Sequence, residues 1–381
     1  MPQIPHTCVA QLTPPGRGAV ATLLVEGADV IDVLQDFLRL KGDRTLADVA
    51  GDRPILAHCS LKSELQSETV EEVVVCRRSA DSIELHCHGG YATVAAIQGE
   101  LAKRGCRSIG WRDRLTGSGQ DPIAAAAQIA LAEARTFRTA SILLDQYKGA
   151  LRRAITAIRQ EIASADLASA AGGLDRLLQR GSVGRHLVEP WLVVLAGPPN
   201  AGKSTLVNAL VGYDRAIVHH APGTTRDVVT ETAAVDGWPV HLSDTAGLRD
   251  ADHPLETAGI NLAKEQLAAA DLVILVFDSS VAWSDDDRRL LDSWPEALVI
   301  HNKCDLPLAP GERPSGIATS GLRGAGIEEL VDVIARRLVP NQPPPGAAVP
   351  FTADQLAALQ SAAESLASGD PHGAMSVLDR I

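Results

Sequence analysis

At 381 residues the chain exceeds one ordinary hydrophobic core, so two or three domains are expected, with cores that are aliphatic because aromatic residues make up only 3%. A formal net charge of -12 excludes nucleic-acid binding by bulk electrostatics and leaves only a local patch or a partner for any RNA contact. Six scattered cysteines without a C-x-x-C pair exclude a disulfide framework and fit reduced thiols.

Residues 1–118 carry short β-branched runs, Glu72 to Val75 and Ser82 to Leu85, followed by a helical stretch from Ala92 to Lys103; they read as an α+β domain. No secretory or organellar signal is visible at Met1 to His6, and no apolar run is long enough to cross a bilayer, so a cytoplasmic protein without membrane or DNA partners is expected. Residues 119–188 turn Ala-rich, with Leu143, Tyr147, Leu151, Ile155 and Ile158 at helical spacing, and predict a helical segment broken near Gly172-Gly173.

Between residues 189 and 340 short apolar strands alternate with helices, the signature of an α/β sheet. Residues 341–381 then supply a Pro-rich linker and an amphipathic helix from Thr352 to Leu366, expected to return to the helical domain so that the α/β unit is an insertion.

The α/β segment carries the chemistry. Gly197-Pro198-Pro199-Asn200-Ala201-Gly202-Lys203-Ser204 follows the apolar run Trp191 to Ala196 and opens a helix at Thr205. In that context glycines let backbone N–H groups curl around phosphates, Lys203 reaches the β- and γ-phosphates, and the Ser204 hydroxyl ligates Mg. Gly223-Thr224-Thr225 lies where a first switch belongs, with Thr225 as second Mg ligand. A hairpin, Thr230 to Val235 and Trp238 to Ser243 around Asp236-Gly237, leads to Asp244-Thr245-Ala246-Gly247. There Asp244 holds the Mg shell through water and the Gly247 N–H senses the γ-phosphate.

Asn302-Lys303-Cys304-Asp305 follows the strand-like Ala297 to Ile300 and selects the base. The Asp305 carboxylate accepts from guanine N1–H and the 2-amino group; adenine lacks that amino group, a rejection worth about 10⁴-fold. Ser320-Gly321-Leu322, after Gly316 to Ala318, is the last base-contacting loop, with Gly where Ala is usual. These motifs in this order imply GTP as substrate. Leu248 follows Gly247 where Ras-like proteins place a water-orienting Gln, so another group must orient the attacking water.

With Thr13-Pro14-Pro15-Gly16-Arg17-Gly18, with Glu84-Leu85-His86-Cys87-His88-Gly89-Gly90, and with Asp244-Thr245-Ala246-Gly247-Leu248-Arg249, the chain resembles the MnmE (TrmE) family of tRNA modification GTPases. The resemblance implies a P-loop G domain inserted in a helical domain behind an N-terminal domain that resembles folate-binding modules. It also implies a potassium ion held by Asn200 and by His219, Ala221 and Thr224 of the first switch when two G domains of a homodimer meet, with Glu256 orienting the water. Its implied partners are a flavoprotein like MnmG and tRNAs modified at the wobble uridine.

The departures lie outside the G domain. The family's C-x-G-K tail has no counterpart in a sequence ending Asp379-Arg380-Ile381, Leu24 and Gly119 stand for a folate-contacting arginine and lysine, and only Glu84 is matched. Gly110 to Leu115 replaces a family segment, and part of the helical domain is shortened between Gly149 and Trp191. Weak folate affinity is therefore expected. A diverged relative with another role, or a GTP-dependent scaffold, are the alternatives. His86-Cys87-His88 is not expected to bind metal, because neighbours on a strand face opposite ways. Arg104, Arg107, Arg112 and Arg114 read as solvated loop cations.

Overall fold

A two-residue alternation of buried and less buried positions, cleanest in Ser82–His88, sets the first sheet. The computed structural model describes residues 7–40, 45, 46, 51, 53–62, 68–117, 119–213, 230–244 and 266–381. The chain forms two units, Met1–Ala125 and Ala126–Ile381. In the first, strands β1 (Cys8–Gln11), β2 (Val20–Glu26), β3 (Leu38–Leu40), β4 (Ile55–Lys62), β5 (Glu68–Ser79), β6 (Ser82–His88) and β7 (Arg107–Ile109) pair in the order β3-β4-β5-β6-β2-β1-β7. Leu23 and Val25 face Leu85 and Ile83 across the β2–β6 ladder, and this face packs with Leu34, Ile97 and Leu101 of the helices Val30–Gln35 and Tyr91–Lys103. Thr22, Leu24, Glu26, Glu84 and His86 occupy the other face, as the two-residue period of a strand requires.

The second unit holds β8 (Trp191–Ala196), β9 (Thr230–Val235), β10 (Trp238–Asp244), β11 (Leu272–Asp278), β12 (Leu298–Asn302) and β13 (Ile317–Ala318), ordered β13-β12-β11-β8-β10-β9. All neighbours are parallel except the hairpin β9–β10. Its turn, Asp236 at φ 48° and Gly237 at φ 74°, needs two left-handed residues, which explains the Asp-Gly pair. β11 reads as an unbroken apolar run because both faces are covered. Val273, Leu275 and Phe277 pack with Leu290, Leu291 and Trp294 on one side. On the other side lie the helices Lys203–Tyr213 and Ile327–Leu338.

Helices Phe137–Tyr147, Ala150–Ala163 and Leu167–Gln179 precede the sheet in sequence, and Ala353–Ala367 and Pro371–Leu378 follow it. The returning helix Ala353–Ala367 packs on Leu167–Gln179. Its approach is pinned by hydrogen bonds: Gln146 Nε2 donates to the Ala347 carbonyl at 3.0 Å, the Val349 N–H donates to Gln146 Oε1 at 3.1 Å, and Arg180 Nη1 donates to the Ala348 carbonyl at 3.0 Å. The α/β sheet is thus inserted in the helical part, as expected.

One expectation fails. The helix Leu167–Gln179 runs unbroken through Gly172-Gly173. A Cβ on Gly173 would stand 2.7 Å from Ile158 Cγ1, so this glycine admits a neighbouring helix instead of ending its own. The helical break falls earlier, at Ala165 with φ 60°.

Candidate nucleotide-binding site

β8 lies between β11 and β10, and its C-terminal end delivers the phosphate-binding loop. Gly197 turns the chain at φ 146°, with its Cα so close to β11 that a Cβ would lie 2.1 Å from the Val276 carbonyl oxygen. Asn200 (φ 61°) and Gly202 (φ 87°) complete the curl, and a Cβ on Gly202 would meet Asn302 Nδ2 at 2.4 Å. Ala201 is buried beneath the loop. The helix Lys203–Tyr213 then begins, carrying Lys203, Ser204 and Thr205 in its first turn, where backbone N–H groups have no intrahelical acceptor. Lys203 is buried, and its Nζ donates to the carbonyls of Gly197 at 3.1 Å and Pro198 at 3.0 Å, spanning the mouth of the loop.

β10 runs parallel to β8 and ends with Asp244 opposite Leu195. This register brings the Asp244 carboxylate to the Ser204 hydroxyl, which donates to Oδ2 at 2.5 Å. A hydroxyl and a carboxylate converging at a helix N-terminus form the hard-oxygen donor set that suits Mg.

Asn302, at the end of β12, is buried and joins three loops. Its Nδ2 donates to the Ala201 carbonyl at 2.9 Å, while Oδ1 accepts from Thr319 Oγ1 at 3.2 Å and from the Gly321 N–H at 3.1 Å. The phosphate loop, the base motif and the last loop are therefore one hydrogen-bonded body. Ser320 is buried, Leu322 and Asp305 are exposed, and Lys303 adopts φ 62°. Glycine at position 321 has a local cause: a Cβ there would stand 3.1 Å from Leu206 Cα and the Leu206 nitrogen.

Asn200, Ala201, Gly202, Lys203, Ser204, Thr205, Asp244, Asn302, Lys303, Asp305, Ser320, Gly321 and Leu322 all lie at the C-terminal edge of the parallel strands, where such sheets bind ligands. His219, Ala221, Gly223, Thr224, Thr225, Thr245, Ala246, Gly247 and Glu256 lie outside the described residues. Sequence reading missed Thr319, whose hydroxyl fixes Asn302, and Asp278 with Arg313, which brace Lys303 and the strand ends; no local pattern announces any of them.

In the first unit Glu84 stands directly opposite Leu24 in the β2–β6 register. Leu24 is buried, and the Glu84 carboxylate is already engaged by Arg78 at 2.7 Å and His86 at 3.4 Å. Gly119 offers no side chain. These residues do not fit a folate carboxylate, for which no free cation is presented at Leu24 or Gly119. In His86-Cys87-His88 the middle thiol points into the core, and burial pushes it up to about 11. No group of three or more His, Cys, Asp or Glu side chains among the described residues could hold a metal ion. Arg104, Arg112 and Arg114 are not simply solvated: Arg104 pairs with Glu100 at 2.9 Å, Arg114 pairs with Glu26 at 2.8 Å, and the Arg112 guanidinium lies over the Trp111 ring at 4.9 Å.

Residues 192–303 match the family described as 50S ribosome-binding GTPase, and residues 7–109 that described as GTP-binding protein TrmE N-terminus. The chain is 31% identical over 414 residues to the tRNA modification GTPase MnmE of Moorella thermoacetica, covering 95% of this chain and 88% of that protein. It is 32% identical over 378 residues to MnmE of Geobacillus kaustophilus, covering 86% and 81%. With MnmE of Lactococcus lactis it shares 33% over 337 residues, covering 79% and 73%. The chain belongs to the MnmE (TrmE) family and is a P-loop GTP hydrolase.

Proposed function

We infer that this chain binds GTP with Mg, hydrolyses it to GDP and phosphate under stimulation by potassium and G-domain pairing, and uses the cycle in modifying the wobble uridine of tRNA. The observation that carries the reading is the Asn302 cross-link, which unites phosphate loop and base loop in a chain similar to MnmE over nearly its whole length. On this reading the domains are 1–118, 119–188, 189–340 and 341–381.

Lys203 would leave the loop carbonyls to neutralise charge on the β- and γ-phosphates as the transition state develops. Ser204 and Thr225 would hold Mg directly and Asp244 through water; the ion neutralises phosphate charge when bound. Asn200, at the left-handed tip of the loop, would hold potassium together with His219, Ala221 and Thr224, and Glu256 would orient the attacking water. Gly223, Thr245, Ala246 and Gly247 would line the γ-phosphate. A homodimer, an MnmG-like flavoprotein and tRNA are the partners, and the protein is cytoplasmic; no described helix is long and apolar enough to cross a membrane.

A second reading, a diverged relative whose switch serves another assembly, is favoured by one observation: the buried Leu24 facing a Glu84 already paired to Arg78. Complementation separates the two. If the first reading holds, expressing the chain in a strain lacking its own MnmE restores modified wobble uridines, read by mass spectrometry of tRNA nucleosides. Full GTPase activity with no restored modification supports the second.

A further inference from the structure

The base motif rests on a support that its own residues do not supply. Lys303 is a non-glycine residue at φ 62°, a conformation that persists only where its surroundings enforce it. Its Nζ donates to Asp278 Oδ2 at 2.7 Å, and this pair is only partly exposed. Asp278 ends β11 directly opposite Asn302. It is itself held on both sides: Oδ1 accepts from the Ser280 N–H at 2.9 Å and from Ser280 Oγ at 2.6 Å. Its carbonyl accepts from Arg313 Nη1 at 3.2 Å.

Arg313 Nη2 donates to the carbonyls of Ser279, at 3.1 Å, and Val281. The same Ser279 donates its N–H to the Asn302 carbonyl at 2.8 Å and accepts from the Ala309 N–H at 3.0 Å. The segment 303–313 is thus fastened at both ends to the turn after β11. Asp305 lies two residues beyond Lys303, in a turn closed by the Leu306 N–H donating to the Lys303 carbonyl at 3.0 Å.

The geometry points to Asp278, braced by Arg313, as a positioning residue for guanine recognition, fixing Lys303 so that the Asp305 carboxylate is presented to the base. It rests on the reading of Asp305 as the guanine-specific acceptor. It also makes specificity a property of β11, which contributes nothing to the base motif itself. Removing the carboxylate frees Lys303 and lets the turn carrying Asp305 relax, while the phosphate loop keeps its own bonds.

The test compares equilibrium affinities of the full chain, with Mg, for GDP and for inosine diphosphate, which differ only in the 2-amino group that Asp305 would accept. Native protein is expected to prefer GDP strongly. Asp278→Ala should shrink that ratio about tenfold, the scale of one charge-assisted contact. Asp278→Asn, which keeps the shape and the Ser280 contacts but turns an amide donor toward Lys303 Nζ, should shrink it as much, and kcat at saturating GTP should stay unchanged in both. Variants that keep the native ratio, or that weaken both nucleotides equally, overturn the inference. Native protein that binds the two alike overturns the Asp305 reading instead.

Discussion

A single buried carboxamide decides how the site responds to substitution. Asn302 makes its bonds where water cannot replace them, so Asn302→Ala leaves the Thr319 hydroxyl and the Gly321 N–H without that acceptor. We expect a loss of about 2–4 kcal/mol in urea unfolding and a large drop in GDP affinity. Asp305 differs: it is exposed, and Asp305→Asn should leave stability unchanged while moving preference from guanine toward xanthine nucleotides, because an amide donates where a carboxylate only accepts. Competition between GDP and xanthosine diphosphate measures this, and unchanged preference would refute the base assignment. The motif residues were legible in the sequence because each answers a local demand: a left-handed turn, a hydroxyl in the first turn of a helix, a carboxylate at a strand end. Thr319, Asp278 and Arg313 were not, because they reach their partners only once β11, β12 and β13 lie side by side.

Among the described residues, the helical part touches the α/β sheet at His186 and at Arg138. His186 is buried and stacked on Trp191 with ring centroids 3.6 Å apart; it faces Asp271 at 3.6 Å, with Arg185 and Glu189 alongside. Burial pushes its pKa down, and the Asp271 carboxylate only partly pulls it back. The folded form therefore prefers the neutral ring. As pH falls below the ordinary histidine value of about 6.5 the unfolded chain takes up the proton first, and the stability present above that pH is lost as pH falls through the depressed value. His186→Phe should flatten the decline in Tm between about pH 7 and pH 5; a decline equal to the native one contradicts this.

At the second contact, Arg138 ties the β9–β10 hairpin to the helix Phe137–Tyr147 by bonding Asp236 at 3.0 Å, and reaches Gln342 at 2.9 Å. The adjacent glycines of Leu167–Gln179 offer a paired test of packing. A Cβ on Gly172 meets nothing nearer than Arg176 Nη1 at 3.5 Å, whereas on Gly173 it collides with Ile158. Gly172→Ala should stabilise by up to about 1 kcal/mol and Gly173→Ala should destabilise, as read from denaturant midpoints. The amphipathic repeat announced these helices; it could not separate a helix-ending glycine from a packing one, since that difference lies in a neighbour some fifteen residues away.

For the whole molecule, the chain divides into two units: one holds the inserted sheet with the loops that Asn302 links, and the other holds a sheet whose Glu84 is already paired. Calorimetry with a formyl-tetrahydrofolate should show no tight binding, and a micromolar affinity would contradict the assignment of Leu24 and Gly119. If G domains pair around potassium, turnover per chain should rise with protein concentration, and Glu256→Ala should lower kcat while leaving KM nearly unchanged. The most direct measurement is phosphate release from GTP and from ATP by the purified full chain with Mg, in potassium and in sodium. GTP turned over in preference to ATP, faster in potassium, is the expected result; ATP hydrolysed as readily as GTP, or no hydrolysis of GTP in either salt, would contradict it.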